Sequence, residues 1–160
     1  MAEQKLLVSI SSSLSSRLSD NPALLKCVEG AATWRAVFIL DPTYVGSRME
    51  VNKWRWVHGT FKSFIRTVKH RPKRTRFLLQ SLTDLDASLR RLGSRLFVAR
   101  GQPMDVLPRL LRDWSVDRLT FERDPEAYGR DRDRKVMALC KRMGVDVAAE
   151  TSHTLYTIKE

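Results

Sequence analysis

Trp34-Arg35-Ala36-Val37-Phe38-Ile39-Leu40 is a run of β-favouring, mostly apolar residues that stops at Asp41-Pro42. Proline lacks a backbone donor and pushes the residue before it out of the helical region, so the run is expected to end there as a buried strand. Working outward, residues 77–92 place Leu78, Leu82, Leu85, Leu89 and Leu92 at helical spacing, with Asp84, Asp86, Arg90 and Arg91 on other faces. Gly93 is placed to stop that helix. Arg95-Leu96-Phe97-Val98-Ala99 reads as the next strand, ended by Gly101-Gln102-Pro103, and residues 105–114 carry a helical pattern that Pro108 is expected to bend or delay. Arg118-Leu119-Thr120-Phe121-Glu122 is strand-like again. A loop over 123–130 follows, then a helix over 132–143 with Val136, Cys140 and Met143 on one face and Gly144 as its stop, then a short strand over 145–148. Upstream, Leu7, Val8 and Ile10 fit a first strand over Lys5–Ile10. Strands alternating with helices imply parallel pairing, because a crossover helix joins parallel neighbours. The expectation is an α/β fold: a doubly wound, mostly parallel five-stranded sheet.

Composition bounds the rest. The 160 residues carry 29 Lys plus Arg against 18 Asp plus Glu, a formal charge of +11, with 42% apolar residues, as in an ordinary globular domain. No apolar run approaches the roughly 20 residues that span a bilayer, so no membrane association is expected. Two cysteines and three histidines are too few for a disulfide framework or a protein-built metal site. The charge is concentrated. Residues 51–83 contain no acid and hold nine basic residues, Lys53, Arg55, Lys62, Arg66, Lys69, Arg71, Lys73, Arg74 and Arg76, leaving 20 of the 29 against 18 acids elsewhere. One segment therefore accounts for the basicity.

Doubly wound sheets bind ligands at the carboxyl ends of their strands, which points to residues 41–48 and 123–130. The chain has no Gly-x-Gly-x-x-Gly and no Gly-Lys-Ser or Gly-Lys-Thr loop, so a dinucleotide or nucleoside triphosphate is not indicated. Nor is there a serine elbow or a paired His and Cys, and no catalytic residue is assigned.

Several ordered strings go further: Arg17-Leu18-Ser19-Asp20-Asn21-Pro22-Ala23-Leu24, Phe38-Ile39-Leu40-Asp41-Pro42, Asn52-Lys53-Trp54-Arg55, Phe77-Leu78-Leu79-Gln80-Ser81-Leu82, Ser94-Arg95-Leu96-Phe97-Val98-Ala99-Arg100-Gly101-Gln102-Pro103 and Ser152-His153-Thr154-Leu155-Tyr156. Together they resemble the Rossmann-like amino-terminal α/β domain of the cryptochrome and photolyase family, most like animal-type cryptochromes and six-four photolyases. The resemblance implies a domain over 17–156, interrupted by an insertion over 56–76, after an atypical amino terminus at 1–16 and before a linker starting at 157–160. It implies either a blue-light receptor or circadian transcriptional regulator, or a DNA-repairing photolyase, in nucleus and cytoplasm. In the family FAD sits in a following helical domain, so FAD binding is not expected of this chain alone. The α/β domain is expected to hold an antenna chromophore, a folate or deazaflavin, or to dock a clock or transcription-factor protein. The matching pocket residues are Tyr44, Gly46 and Ser47, with Tyr128, Gly129, Asp131 and Arg132. Arg132 also has a physical case, since a guanidinium fork near a helix start can hold a carboxylate or planar ligand bidentately. The alternative is that Arg130, Asp131, Arg132 and Asp133 form a solvated surface of mixed charge.

The sequence departs from the family twice. The start lacks the aromatic and arginine of the family's first turn, and its Ser-rich, acid-poor character also suits a flexible terminus or a transit peptide. The second departure is the run of 21 residues between Trp54-Arg55 and Phe77. Phe61, Phe64, Ile65 and Val68 fall at one helical face, followed by Lys69, Arg71, Lys73, Arg74 and Arg76, a nuclear-localisation or nucleic-acid patch. A retained intron or alternative exon with no selected function is the competing explanation, and a non-productive splice fragment is then the expectation for the whole chain.

Overall fold

The computed structural model describes residues 5–10, 18, 20–41 and 73–151, with side chains described from residue 18 onward except at 73–76. Five strands form one sheet: β1 Lys5–Ile10, β2 Thr33–Leu40, β3 Leu96–Arg100, β4 Arg118–Glu122 and β5 Asp146–Glu150. Their order is β3-β2-β1-β4-β5 and every pairing is parallel, in the register Ala36 to Leu96, Val8 to Ala36, Val8 to Thr120 and Thr120 to Ala148. The doubly wound sheet expected above is therefore present. The chain winds outward from β1 to β3, then returns past β1 to β4 and β5, so the winding reverses between β1 and β4.

Side-chain alternation on β2 shows why the sheet carries helices on both sides. Ala36, Phe38 and Leu40 face a layer built from α1 (Pro22–Val28) and α2 (Lys73–Arg91), through Leu24, Cys27, Leu82, Leu85 and Leu89. Val37 and Ile39 face the opposite layer of α3 (Pro103–Asp113) and α4 (Ala127–Met143), through Leu107, Leu110, Leu111, Val136, Leu139 and Cys140. Burial pushes the Cys27 and Cys140 thiols, one in each layer, up to about 11.

The helix boundaries differ from expectation in instructive ways. The pattern reading assigns no helix to residues 22–28, yet α1 forms because the Asn21 side chain accepts the Leu24 N–H at 2.9 Å and Pro22 takes the first helical position. α2 starts at Lys73, four residues early, so the last four residues of the 56–76 segment supply its first turn. At its other end Leu92 is exposed rather than on the buried stripe, because the helix has closed at Gly93, whose φ of +76° lets Ser94 donate back to the Leu89 carbonyl. Asp86 on α2 is buried; its Oδ1 accepts the Leu96 N–H at 2.9 Å and its Oδ2 the Arg90 Nε at 2.8 Å, pinning the helix to the start of β3. α3 begins at Pro103 and runs through Pro108, leaving the Met104 carbonyl without its usual donor.

α4 begins at Ala127, five residues before the expected start, so residues 127–130 are helix and not loop. The amphipathic helix expected around Phe61–Val68 and the linker at 157–160 lie outside the described residues. No helix among the described residues is long and apolar enough to cross a membrane.

Candidate functional site

The carboxyl ends of β2 and β4 flank that of β1, at the point where the winding reverses. Asp41 follows β2 directly and is buried, and the Tyr128 hydroxyl, from the first turn of α4, donates to its Oδ2 at 2.8 Å. That bond passes over the end of β1 and joins the two segments that sequence reasoning picked out separately. Beyond Asp41 the first segment, with Tyr44, Gly46 and Ser47, lies outside the described residues, as do Lys69 and Arg71.

Behind Tyr128 sits a buried charge network. Arg132 Nε and Nη2 both donate to Asp133 Oδ1, at 2.9 and 2.8 Å, and Nη2 lies 3.6 Å from Asp124 Oδ2. Asp133 Oδ2 accepts the Asp124 N–H at 2.9 Å, and Asp124 Oδ1 accepts the Glu126 N–H at 3.0 Å, which turns the chain from β4 into α4. Burial pushes the Asp133 carboxyl above its ordinary range, opposed by the Asp124 N–H and the Arg132 charge. Gly129 is buried against this bend, and a Cβ there would run into the Asp124 carboxylate. Its role is close approach of the first turn of α4 to Asp124.

The expected residues therefore divide. Tyr128, Gly129 and Arg132 come together, while Asp131 points outward and pairs with Lys135 at 2.7 Å and Arg134 at 3.5 Å on the exposed side of α4. The hydrogen bond from Lys135 holds its carboxyl below the ordinary range. The solvated mixed-charge alternative is corrected for Arg132 and Asp133, which are both buried, and fits only Arg130 and Asp131. Lys73, Arg74 and Arg76 lie in the first turn of α2, which contains no acidic residue. Asp41 and Asp124 are members that the reading of the sequence gives no role, and Asp133 is named only within the stretch 128–133. The available signal was an Asp two positions before Glu126, the residue that precedes the first helical residue of α4.

The Arg132 fork is committed to carboxylates of its own chain, with the Asp41 carboxylate nearby through Tyr128. Among the described residues of the site, the Tyr128 ring is exposed, at 42%, with its hydroxyl anchored on Asp41.

A family profile described as DNA photolyase matches residues 14–160. The chain is 48% identical to Cryptochrome-2 of Gallus gallus and 46% identical to Cryptochrome-1 of Mus musculus, each over 143 residues and 89% of this chain. It spans about a fifth of the length of these relatives, 21% and 20%. Among solved structures, the cryptochrome of Synechocystis superposes with a TM-score of 0.73 at 22% identity, over 97% of this chain and 29% of that one. An archaeal photolyase from Sulfolobus tokodaii, which holds two FAD molecules with the implication of a novel light-harvesting cofactor, does so with a TM-score of 0.71 at 23% identity, over 96% and 31%. At such identities the superpositions establish the shared α/β fold. With the profile covering nearly the whole sequence and animal cryptochromes close to half identical, the chain belongs to the DNA photolyase family.

Proposed function

We propose that the chain is the α/β module of a cryptochrome-type protein, a blue-light receptor or circadian transcriptional regulator acting in nucleus and cytoplasm. Its switch-point surface docks a clock or transcription-factor protein. The observation that carries this reading is the self-neutralised Arg132: a fork held by Asp133 and Asp124 leaves Tyr128 as the outward anchor, and half-exposed tyrosines suit protein interfaces. Identity of 48% to an animal cryptochrome supports the same choice. On this reading FAD belongs to the helical domain of full-length relatives and not to this α/β module, and the six-four photolyase assignment, with a folate or deazaflavin antenna, is the alternative.

Both are tested on one purified sample. Binding to a clock transcription factor should weaken about ten-fold in Tyr128→Ala, a loss of about 1.4 kcal/mol, measured at a temperature where the variant's circular dichroism remains that of the folded chain. A co-purifying pigment absorbing in the near ultraviolet or blue, with no partner binding, would establish the antenna reading instead. A second reading, non-specific nucleic-acid binding through Lys69, Arg71, Lys73, Arg74 and Arg76, is favoured by the acid-free first turn of α2. Its affinity should fall steeply with salt. Deleting 56–72, which spares α2, should reduce it, and unchanged binding after that deletion refutes it.

A further inference from the structure

β3 is the last strand at one side of the sheet among the described residues. On the α3 and α4 side of that margin four side chains stack in series: the Arg35 guanidinium lies 5.1 Å from the centre of the Trp114 ring, Trp114 and Phe97 are 4.8 Å apart at an interplanar angle of 54°, and the Arg95 guanidinium lies 4.5 Å from the Phe97 ring. The register explains the assembly. Ala36 pairs with Leu96, so Arg35 and Arg95 precede neighbouring positions on adjacent strands, and alternation puts both on the side of Val37 and Phe97. Trp114 closes α3 from the same side. Neither arginine makes an ion pair with a described acid, in contrast to Arg90, Arg118, Arg132 and Arg134.

We infer that this guanidinium–indole–phenyl–guanidinium ladder is a docking surface for an acidic peptide segment lying extended along β3. Stacking fixes each guanidinium over a ring and leaves its N–H edge without an ion pair to a described acid, and a pre-oriented planar fork is suited to carboxylates. The strand beside it supplies a sheet margin of the kind that takes up an added strand. A single-stranded nucleic acid suits the surface less well, because a guanidinium already lies over each of the two rings on which a base would stack.

The test uses the whole purified chain and a fluorescent peptide of about eight alternating Glu and Val residues, at about 50 mM salt. Arg35→Gln with Arg95→Gln should weaken binding about ten-fold. Arg95→Lys should not restore it, and amide exchange across Leu96–Arg100 should slow on peptide addition. Arg95 is exposed, so Arg95→Gln alone provides the measurement should the double variant not fold, with about three-fold weakening expected. Replacing Lys73, Arg74 and Arg76 by Gln should leave the peptide affinity unchanged. Equal affinity in the arginine variants, exchange that slows away from β3, or an oligothymidylate that binds more tightly through the same two arginines would overturn the inference.

Discussion

At the switch point Arg132 is buried, with Asp133 and Asp124 against it, whereas at the β3 margin Arg35 and Arg95 rest on aromatic rings with no described carboxylate paired to them. The difference follows from desolvation. A guanidinium taken out of water must be matched inside the protein, while one that keeps a wet edge can remain uncommitted and merely be held in place. The first arrangement specifies the shape of the β4–α4 bend; the second leaves charge for something outside the chain.

Mutations can break that contrast. The largest effect is expected for Arg132→Met, which strands the buried Asp133 charge and should cost about 3–5 kcal/mol in urea unfolding, with Asp133→Leu recovering most of it in the double variant. Arg95→Gln, by comparison, should change stability by no more than about 0.5 kcal/mol. Gly129→Ala drives a methyl group into Asp124 and should cost about 1–3 kcal/mol. Tyr128→Phe removes one bond to a buried carboxylate and should cost about 1 kcal/mol. The smallest is a gain: Arg76→Glu replaces a cation at the positive end of α2 and should add about 0.3–1 kcal/mol, which low salt enlarges. The thiols report which side gives way. Raised to about 11, both stay protonated at pH 8 while buried, so iodoacetamide labels only opened molecules, and Arg132→Met should expose Cys140 in its own helix before Cys27 in the opposite layer.

The sheet was legible because its strands are short and mostly apolar, with β2 and β3 bounded by Pro or Gly, and β4 matches its expected span of residues 118–122. Helix starts were less so. α4 opens with Ala127-Tyr128-Gly129-Arg130, which resembles a loop in isolation; only the contact between Gly129 and Asp124 makes a glycine there useful, and that contact depends on where β4 ends. α1 hid for the opposite reason: a capped helix of about two turns is too short for a period to show, although Asn21-Pro22 announces it. At the site, the residue types were readable and their commitments were not. Arg132 beside Asp133 in sequence says nothing of whether both are wet, and burial of the pair comes from the packing of Gly129 and Val136 on the same helix.

The Asp86 tether has a mechanical side. Among the described residues β3 is held by β2 alone, as β5 is by β4, so these two ends are where a sheet of this order would begin to unzip. Asp86 grips the N–H of Leu96, the first residue of that strand, from a helix lying across the layer. The chain thus places a clamp at one of the two ends where a tear could start, and a strand with one neighbour gains a second attachment without a second strand.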